Sequence, residues 1–155
     1  MVSYTKYTKQ APKVVPSAAV GVSVSPGSTE WANGSYVELT PGISLPIVAC
    51  GFILNPNTAV VTEEFEIELG KGAATSEVVV GTTHGVGKGI AVQGAVNLIR
   101  FAIPIDVEAN TRLAVRFRNT AANTTAWTAK LLYYEKAPEE AAKAQAIHDG
   151  LLVGV

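Results

Sequence analysis

The sequence has little of what disulfide-stabilised, membrane-spanning or metal-binding proteins require. It contains a single cysteine, Cys50, so no disulfide can form within the chain. Its longest apolar run, residues 45–54, is far shorter than the roughly 20 residues that a helix needs to cross a bilayer. Its 2 histidines, His84 and His148, have no cysteine or histidine nearby in the sequence to complete a metal site. We therefore expect no metal, no cofactor and no membrane partner.

Charged residues are also few, and the positive ones are unevenly placed. They make up 16% of the chain, which has a net charge of −1 and a pI of about 6.1. Without a positive field, the chain is not expected to bind nucleic acid. Residues 1–29 nevertheless contain 3 lysines and no acidic residue. Such an arm could lie on an acidic partner or stay in solvent, and the charges alone leave both open.

The residues that are abundant favour β-strands. Val, Ile and Thr contribute 20, 9 and 14 residues, or 43 of the 155, and β-branched side chains pack well on a pleated sheet. Gly and Pro add 14 and 8 residues, which supply turns. The composition predicts one all-β domain, because a chain of this length supports one core more readily than two.

Alternation of apolar and polar residues predicts strands between residues 19 and 135. The clearest case is residues 64–69, where three glutamates alternate with three large apolar residues. About eight such segments, separated by turns, predict an antiparallel β-sandwich of the jelly-roll type. Residues 81–94 hold 5 glycines without clear periodicity, which indicates either a long loop or a glycine-rich hairpin.

These patterns divide the chain into three regions. Residues 1–18 are polar, basic and interrupted by Pro12 and Pro16, which predicts an extended N-terminal arm. Residues 19–136 are the predicted sandwich domain. In residues 137–155, Ala137 is followed by Pro138 and two glutamates, which suits the start of a short helix, and the region ends in an apolar tail.

The glutamates of residues 63–68 are the strongest candidates for chemistry. Carboxylates two residues apart on a strand share a face, so they could hold a divalent cation or act as a glycosidase pair. Arg112, Arg116 and Arg118 are also separated by even numbers of residues. We favour a structure in which this arginine stripe pairs with the glutamate stripe on a solvated sheet face. Elsewhere we find no nucleophile–base pair and no complete phosphate-binding loop, so we do not expect an enzyme.

Three segments together resemble a known family. They are Trp31–Leu39, Glu68–Val80 and Phe101–Arg116, which read WANGSYVEL, ELGKGAATSEVVV and FAIPIDVEANTRLAVR. They are similar to the small jelly-roll module of tailed-bacteriophage virion proteins. The pattern of that module is W-x-x-x-x-W/Y-V-E-L, then G-x-G-A-A-G-S-E-V-V, then P-I-x-I/V-x-A-G-T-R-L/I-A-x-R. Thr75 and Asn110 stand where glycine is usual, and asparagine tolerates a positive φ better than most residues.

The resemblance implies a jelly-roll fold and a structural role without catalytic residues. The family includes capsid decoration proteins, head fibres and some tail components, and we expect a decoration (cement) protein that binds and stabilises the outer capsid surface. The implied partners are the major capsid protein or other virion proteins, together with further copies of the chain as a trimer. The expected location is the virion, after synthesis in the host cytoplasm.

Two alternatives to a decoration protein remain open. One is a tail, fibre or baseplate component that contacts a host receptor. The other is a carbohydrate-binding module, which needs an exposed aromatic platform. Trp31 is the one tryptophan expected in an open turn, because Trp127 fits an inward position.

Partner contacts are expected from both ends of the chain and from one turn. An arm that contains two tyrosines and a tail that ends in apolar residues have little reason to remain in solvent. The predicted partner-binding residues are Tyr4, Lys6, Tyr7, Lys9 and Lys13 in the arm, Trp31 in the turn, and Leu151, Leu152 and Val153 in the tail.

Overall fold

The computed structural model describes residues 12–44, 46–56, 63–87, 103–120 and 126–135. Within these ranges the chain forms nine β-strands and no helix, which confirms the all-β prediction. The strands are β1 (Lys13–Val15), β2 (Val22–Val24), β3 (Val37–Thr40), β4 (Ile47–Pro56), β5 (Glu63–Lys71), β6 (Val78–Gly87), β7 (Ile103–Val107), β8 (Leu113–Asn119) and β9 (Trp127–Glu135).

The nine strands form two antiparallel sheets. The first sheet has the order β1-β9-β4-β7, and β2 also pairs with β9. The second sheet has the order β3-β8-β5-β6. Residues of both sheets contribute to one hydrophobic core, so the fold is β-sandwich-like, as the spacing of the strands predicted.

Three aromatic rings occupy the core between the sheets. Phe65 and Phe117 come from the second sheet and Trp127 from the first, and all three are at most 2% exposed. The Trp127 ring lies 5.2 Å from Phe65 and 4.9 Å from Phe117, measured between centroids. Gly85 is the partner of Phe65 on β6, and an added Cβ there would lie 2.5 Å from the Phe65 ring. The absence of a side chain at Gly85 therefore makes room for Phe65.

The described part of the predicted N-terminal arm belongs to the first sheet. β1 pairs with β9, with Lys13 opposite Tyr133 and Val15 opposite Leu131. The sheet therefore begins at Lys13, upstream of the predicted domain boundary at residue 19. The arm up to residue 11 and the predicted C-terminal helix and tail, residues 137–155, lie outside the described residues.

The loop between β2 and β3 runs alongside β8. The Trp31 amide donates a hydrogen bond to the Asn119 carbonyl at 2.8 Å, and the Gly34 amide donates to the Phe117 carbonyl at 3.0 Å. Val37 then pairs with Val115 as β3 begins. The loop therefore continues the line of β3 and brings Trp31 and Tyr36 to the outer surface of the second sheet.

The region predicted as either a loop or a glycine-rich hairpin contains a strand. β6 extends through residues 81–87 and pairs with β5 as a hairpin. Residues 88–94 lie outside the described residues. The glycine content hid this strand because Gly81 and Gly85 interrupt the apolar alternation on its inner side.

Candidate functional site

The glutamate and arginine stripes meet on the outer face of the second sheet. In the pairing of β5 with β8, Glu66 lies opposite Arg118 and Glu68 opposite Arg116. Both pairs form ion pairs, Arg116 Nε to Glu68 Oε2 and Arg118 Nη2 to Glu66 Oε1. The predicted pairing of the stripes is therefore confirmed. We call this surface the ionic face; it comprises Glu38, Glu66, Glu68, Glu77, Arg112, Arg116 and Arg118.

The expectation that this face is solvated is wrong for its two central carboxylates. Glu66 is 2% exposed and Glu68 9%, whereas Glu64 at the end of the stripe is exposed. Two aromatic rings lie against the arginines of these pairs and help to shield the carboxylates from water. The Arg116 guanidinium is 4.7 Å from the centre of the Tyr36 ring, and that of Arg118 is 5.7 Å from the Trp31 ring.

Tyr36 adds a hydrogen bond to the buried pair beneath it. Its hydroxyl donates to Glu68 Oε2 at 3.4 Å. Burial raises the pKa of Tyr36, although the nearby Arg116 charge opposes this. The hydrogen bond to Glu68 raises the pKa of Arg116, so both partners of Glu68 keep their protons.

Arg112 joins three parts of the second sheet. Its Nε donates to Glu38 Oε2 at 2.7 Å and its Nη1 donates to Glu77 Oε1 at 2.9 Å. The same Nη1 donates to the Gly72 carbonyl at 3.1 Å. The hydrogen bond from Arg112 lowers the pKa of Glu77. These contacts hold β3 and the β5–β6 turn against the start of β8.

The far end of the ionic face contains a histidine. His84 Nε2 lies 2.8 Å from Glu66 Oε2, and the His84 side chain is 69% exposed. Glu66 thus uses one carboxylate oxygen for Arg118 and the other for His84. Within the described ranges, no group of three or more His, Cys, Asp or Glu residues is placed to hold a metal ion. The arrangement is that of a structural ion-pair ladder, with one exposed imidazole at its end.

The segments that carry the family resemblance converge on this face. Trp31, Tyr36 and Glu38 come from the first segment, Glu68 and Glu77 from the second, and Arg112 and Arg116 from the third. The contacts above join the first segment to the third and the second to the third. The polar residues of the motif therefore have a common structural role, which is to fasten the loop and the hairpin onto β8.

Two predicted partner-binding residues are described, and both make contacts within the chain. Lys13 Nζ lies 2.7 Å from Glu135 Oε2, and the hydrogen bond to Glu135 raises the pKa of Lys13. Trp31 packs against Arg118, as given above. The other predicted partner-binding residues lie outside the described residues; they are Tyr4, Lys6, Tyr7, Lys9, Leu151, Leu152 and Val153.

The outer face of the first sheet is chemically different. Leu132 and Tyr134 alternate with the buried residues of β9 and are partly exposed. Val14 and Ile53 are partly exposed and lie opposite Leu132 and Lys130, respectively. We call Val14, Ile53, Leu132 and Tyr134 the apolar face. The sequence indicates this face only through the two-residue period of β9, in which an inward Trp127 implies an outward Leu132.

Comparisons with protein-family models, with curated protein sequences and with solved structures found no match. In the part of the chain that the structure describes, no helix is long and apolar enough to span a membrane.

Proposed function

We propose that this chain is a jelly-roll structural protein of a tailed-bacteriophage virion, and that it decorates and stabilises the outer surface of the capsid. The pairing of the strands supports the jelly-roll part of the proposal. β2 pairs with β9, β3 with β8, β4 with β7 and β5 with β6. Such nested pairs arise when one long hairpin is rolled into two sheets, which is the architecture of a jelly roll.

The backbone at two turn residues is the observation that best supports the proposed family. Thr75 has φ 70° and Asn110 has φ 60°, and these are the positions at which the resembled family usually has glycine. Glycine is favoured where φ is positive because other side chains crowd the backbone there. Both positions therefore have a backbone conformation that favours glycine, which supports the resemblance.

The apolar face offers a surface for attachment. An antiparallel sheet that meets water usually has polar residues on its outer side, whereas on this face four large apolar or aromatic side chains lie beside Lys130. A subunit that binds only the assembled lattice stabilises that lattice by mass action. Burial of the apolar face against capsid protein would supply the binding energy, in proportion to the apolar area removed from water.

The two ends of the described chain lie beside this face. Lys13 starts β1, Glu135 ends β9, and the ion pair between them holds the two strand ends together. The described residues that adjoin the predicted arm and the predicted C-terminal helix and tail therefore meet at one corner of the sandwich. In this proposal both segments contact neighbouring virion subunits, including further copies of the chain in a trimer.

Immunogold labelling, with antibodies against this chain, of phage particles purified from cells that produce it tests the proposal. We expect label over the whole capsid surface. Label confined to the tail would instead support a fibre or baseplate component. Particles without label would overturn a virion role altogether.

Surface variants test the attachment face in the same particles. Leu132→Lys places a charge on the apolar face and should reduce the number of bound copies severely, because an uncompensated charge is costly to bury. Glu64→Lys is the matched control, since Glu64 is an exposed residue on the opposite sheet. If both variants bind like the unaltered chain, the apolar face is not the attachment surface.

The carbohydrate-binding alternative has weaker support. A sugar stacks on an open aromatic face, and one side of the Trp31 ring is directed at the Arg118 guanidinium. Glycan-array binding that is lost in Trp31→Ala and kept in Leu132→Lys would revive this alternative.

A further inference from the structure

The edges of the two sheets differ in how they are protected from pairing with other strands. An exposed edge strand is a template for another chain, and proteins usually limit this with short strands, charges, prolines or bulges. β1 and β2 have 3 residues each. β3 has 4 residues and an irregular register beside Glu38. β7 contains Pro104 and Asp106. Each of these edges has at least one protective feature.

β6 forms the remaining edge and has few such features. It has 10 residues, no proline, and His84 as its single ionisable side chain. Its register shifts once, where it passes Leu69 and Gly70 of β5, and the pairing of Gly81–Gly87 is regular beyond that point. β5 lies on one side of β6, and no strand among the described residues lies on the other side. Among the described strands, this long and almost uncharged edge therefore has no second partner.

Exposed apolar side chains are concentrated on this strand. The described residues include four large hydrophobic side chains that are strongly exposed, and three of them belong to β6. These are Val78, Val79 and Val86, with exposures of 62%, 43% and 64%. The fourth, Val20, is 72% exposed and lies in the segment before β2. The backbone edge and the apolar surface thus coincide.

We propose that two copies of this chain pair β6 against β6 in antiparallel orientation about a two-fold axis. The two 4-stranded second sheets would then form one continuous sheet. An isologous contact of this kind uses the same surface on both copies, and antiparallel backbone groups are complementary to themselves.

The chemistry of β6 favours a second copy over a charged partner. Its centre, Gly81, Thr82 and Thr83, is small and uncharged, so self-pairing brings no like charges together. The imidazole of His84 is already held by Glu66. An acidic or basic peptide would find no complementary charge along this strand. The β-branched residues of one β6 strand would pack against those of the other β6 strand.

This contact is independent of the proposed virion function. It depends only on β6, and it would form whether or not the apolar face binds a capsid. A trimer of the kind that the resemblance implies would need a different surface, since a two-fold pairing closes after two copies.

Sedimentation equilibrium of the full chain tests the proposal. We expect reversible association at micromolar concentrations, with Val79→Lys and Val86→Lys each weakening it by about tenfold, because each substitution enters a two-fold contact twice. Val20→Lys is the matched control: it changes an equally exposed valine outside β6 and should leave the association unchanged. Circular dichroism and thermal unfolding establish that each variant is folded, and fold retention is expected because all three side chains are already exposed.

Amide hydrogen exchange provides a second measurement. Amides of β6 should exchange more slowly as the protein concentration rises, and those of β3 should not. A wild-type chain that stays monomeric at about 100 µM, where a contact of micromolar Kd is largely formed, would overturn the proposal; so would an association that both β6 variants leave unchanged. A monomer whose β6 amides are protected at every concentration would indicate that the chain's own residues 88–102 cover the edge.

Discussion

Thr75 combines a β-branched side chain with a left-handed backbone. Its φ of 70° is one that non-glycine residues rarely adopt, and the penalty for an L-residue there is about 1–2 kcal/mol. The β5–β6 turn keeps this conformation because Arg112 holds both Gly72 and Glu77 in place. The strain at Thr75 is thus offset by contacts made elsewhere in the turn.

Replacing Thr75 by glycine should therefore stabilise the protein. The relief of strain exceeds the extra backbone entropy that glycine loses on folding, so we expect a gain of about 0.5–1 kcal/mol in the free energy of unfolding by urea denaturation. Thr82→Gly is the control, because Thr82 lies in β6 without a positive φ, and that variant should be destabilised. Equal destabilisation of both would show that Thr75 is not strained.

Buried and exposed members of the ionic face should differ in their contribution to stability. Glu68→Gln removes the charge that Arg116 and Tyr36 contact in a site only 9% exposed, and we expect a loss of about 1–3 kcal/mol. Glu38→Gln breaks the pair with Arg112 at a side chain that is 48% exposed, and the expected loss is below about 1 kcal/mol. Urea denaturation of both variants measures the difference. Similar losses would mean that burial does not set the strength of these pairs.

The ionisation of Glu77 should make the free energy of unfolding depend on pH. Its hydrogen bond from Arg112 lowers its pKa in the folded state below the ordinary 4.5. A carboxyl group whose pKa is lower in the folded state than in the unfolded state stabilises the fold at pH values above its unfolded pKa. That stabilisation is lost as the pH falls through the folded pKa. Between pH 6 and pH 3 the unfolding midpoint of Glu77→Gln should fall less than that of the unaltered chain. Parallel profiles would contradict this assignment.

The β2–β3 loop is the element that turns an open sheet face into a shielded one. Its position depends on a close approach between Gly34 and Ser25, where an added Cβ would lie 1.8 Å from the Ser25 carbonyl oxygen. Because that contact is with backbone of the same loop, a side chain at residue 34 would force Gly34 away from Ser25 and change the path of the loop. Trp31 and Tyr36 would move with it.

Gly34→Ala should consequently weaken both the fold and the ionic face. We expect a loss of about 1–3 kcal/mol and a change in the fluorescence of Trp31 as its ring leaves Arg118. Gly42→Ala is the control, since its new Cβ would lie 3.7 Å from the nearest atoms of Asn110, an ordinary contact, and its stability should change little. Unaltered stability in Gly34→Ala would show that the loop has room to adjust.

Local patterns predicted some elements well and others poorly. The inward residues of β5, β8 and β9 and the pairing of glutamate with arginine follow from the two-residue period of a strand, which the sequence displays directly. The burial of Glu66 and Glu68 depends on the Trp31 and Gly34 hydrogen bonds to β8, which join distant parts of the chain. β1 escaped prediction because its three residues, between two prolines, are too few to show alternation.

At the scale of the whole molecule, the position of β1 decides which truncations are tolerated. Deleting residues 1–11 keeps β1 and the Lys13–Glu135 ion pair, so we expect a melting temperature within a few degrees of the full chain. Deleting residues 1–18 removes β1 from the edge of β9 and leaves the buried Glu135 with Ser44 but without Lys13, and the melting temperature should fall clearly. Thermal unfolding of the two truncated chains distinguishes these outcomes. Equal melting temperatures would show that β1 adds no stability.

The nested strand pairs also constrain the order in which the strands can pair during synthesis. The innermost pair is local, with Phe65 opposite Gly85, whereas the outermost joins Val24 to Trp127. Pairings between distant residues are slow to form because a long loop must close first. During synthesis, β2 cannot pair until β9 has left the ribosome. Any nascent chain that ends before residue 127 therefore lacks the strand that pairs with β2, and its first sheet is incomplete.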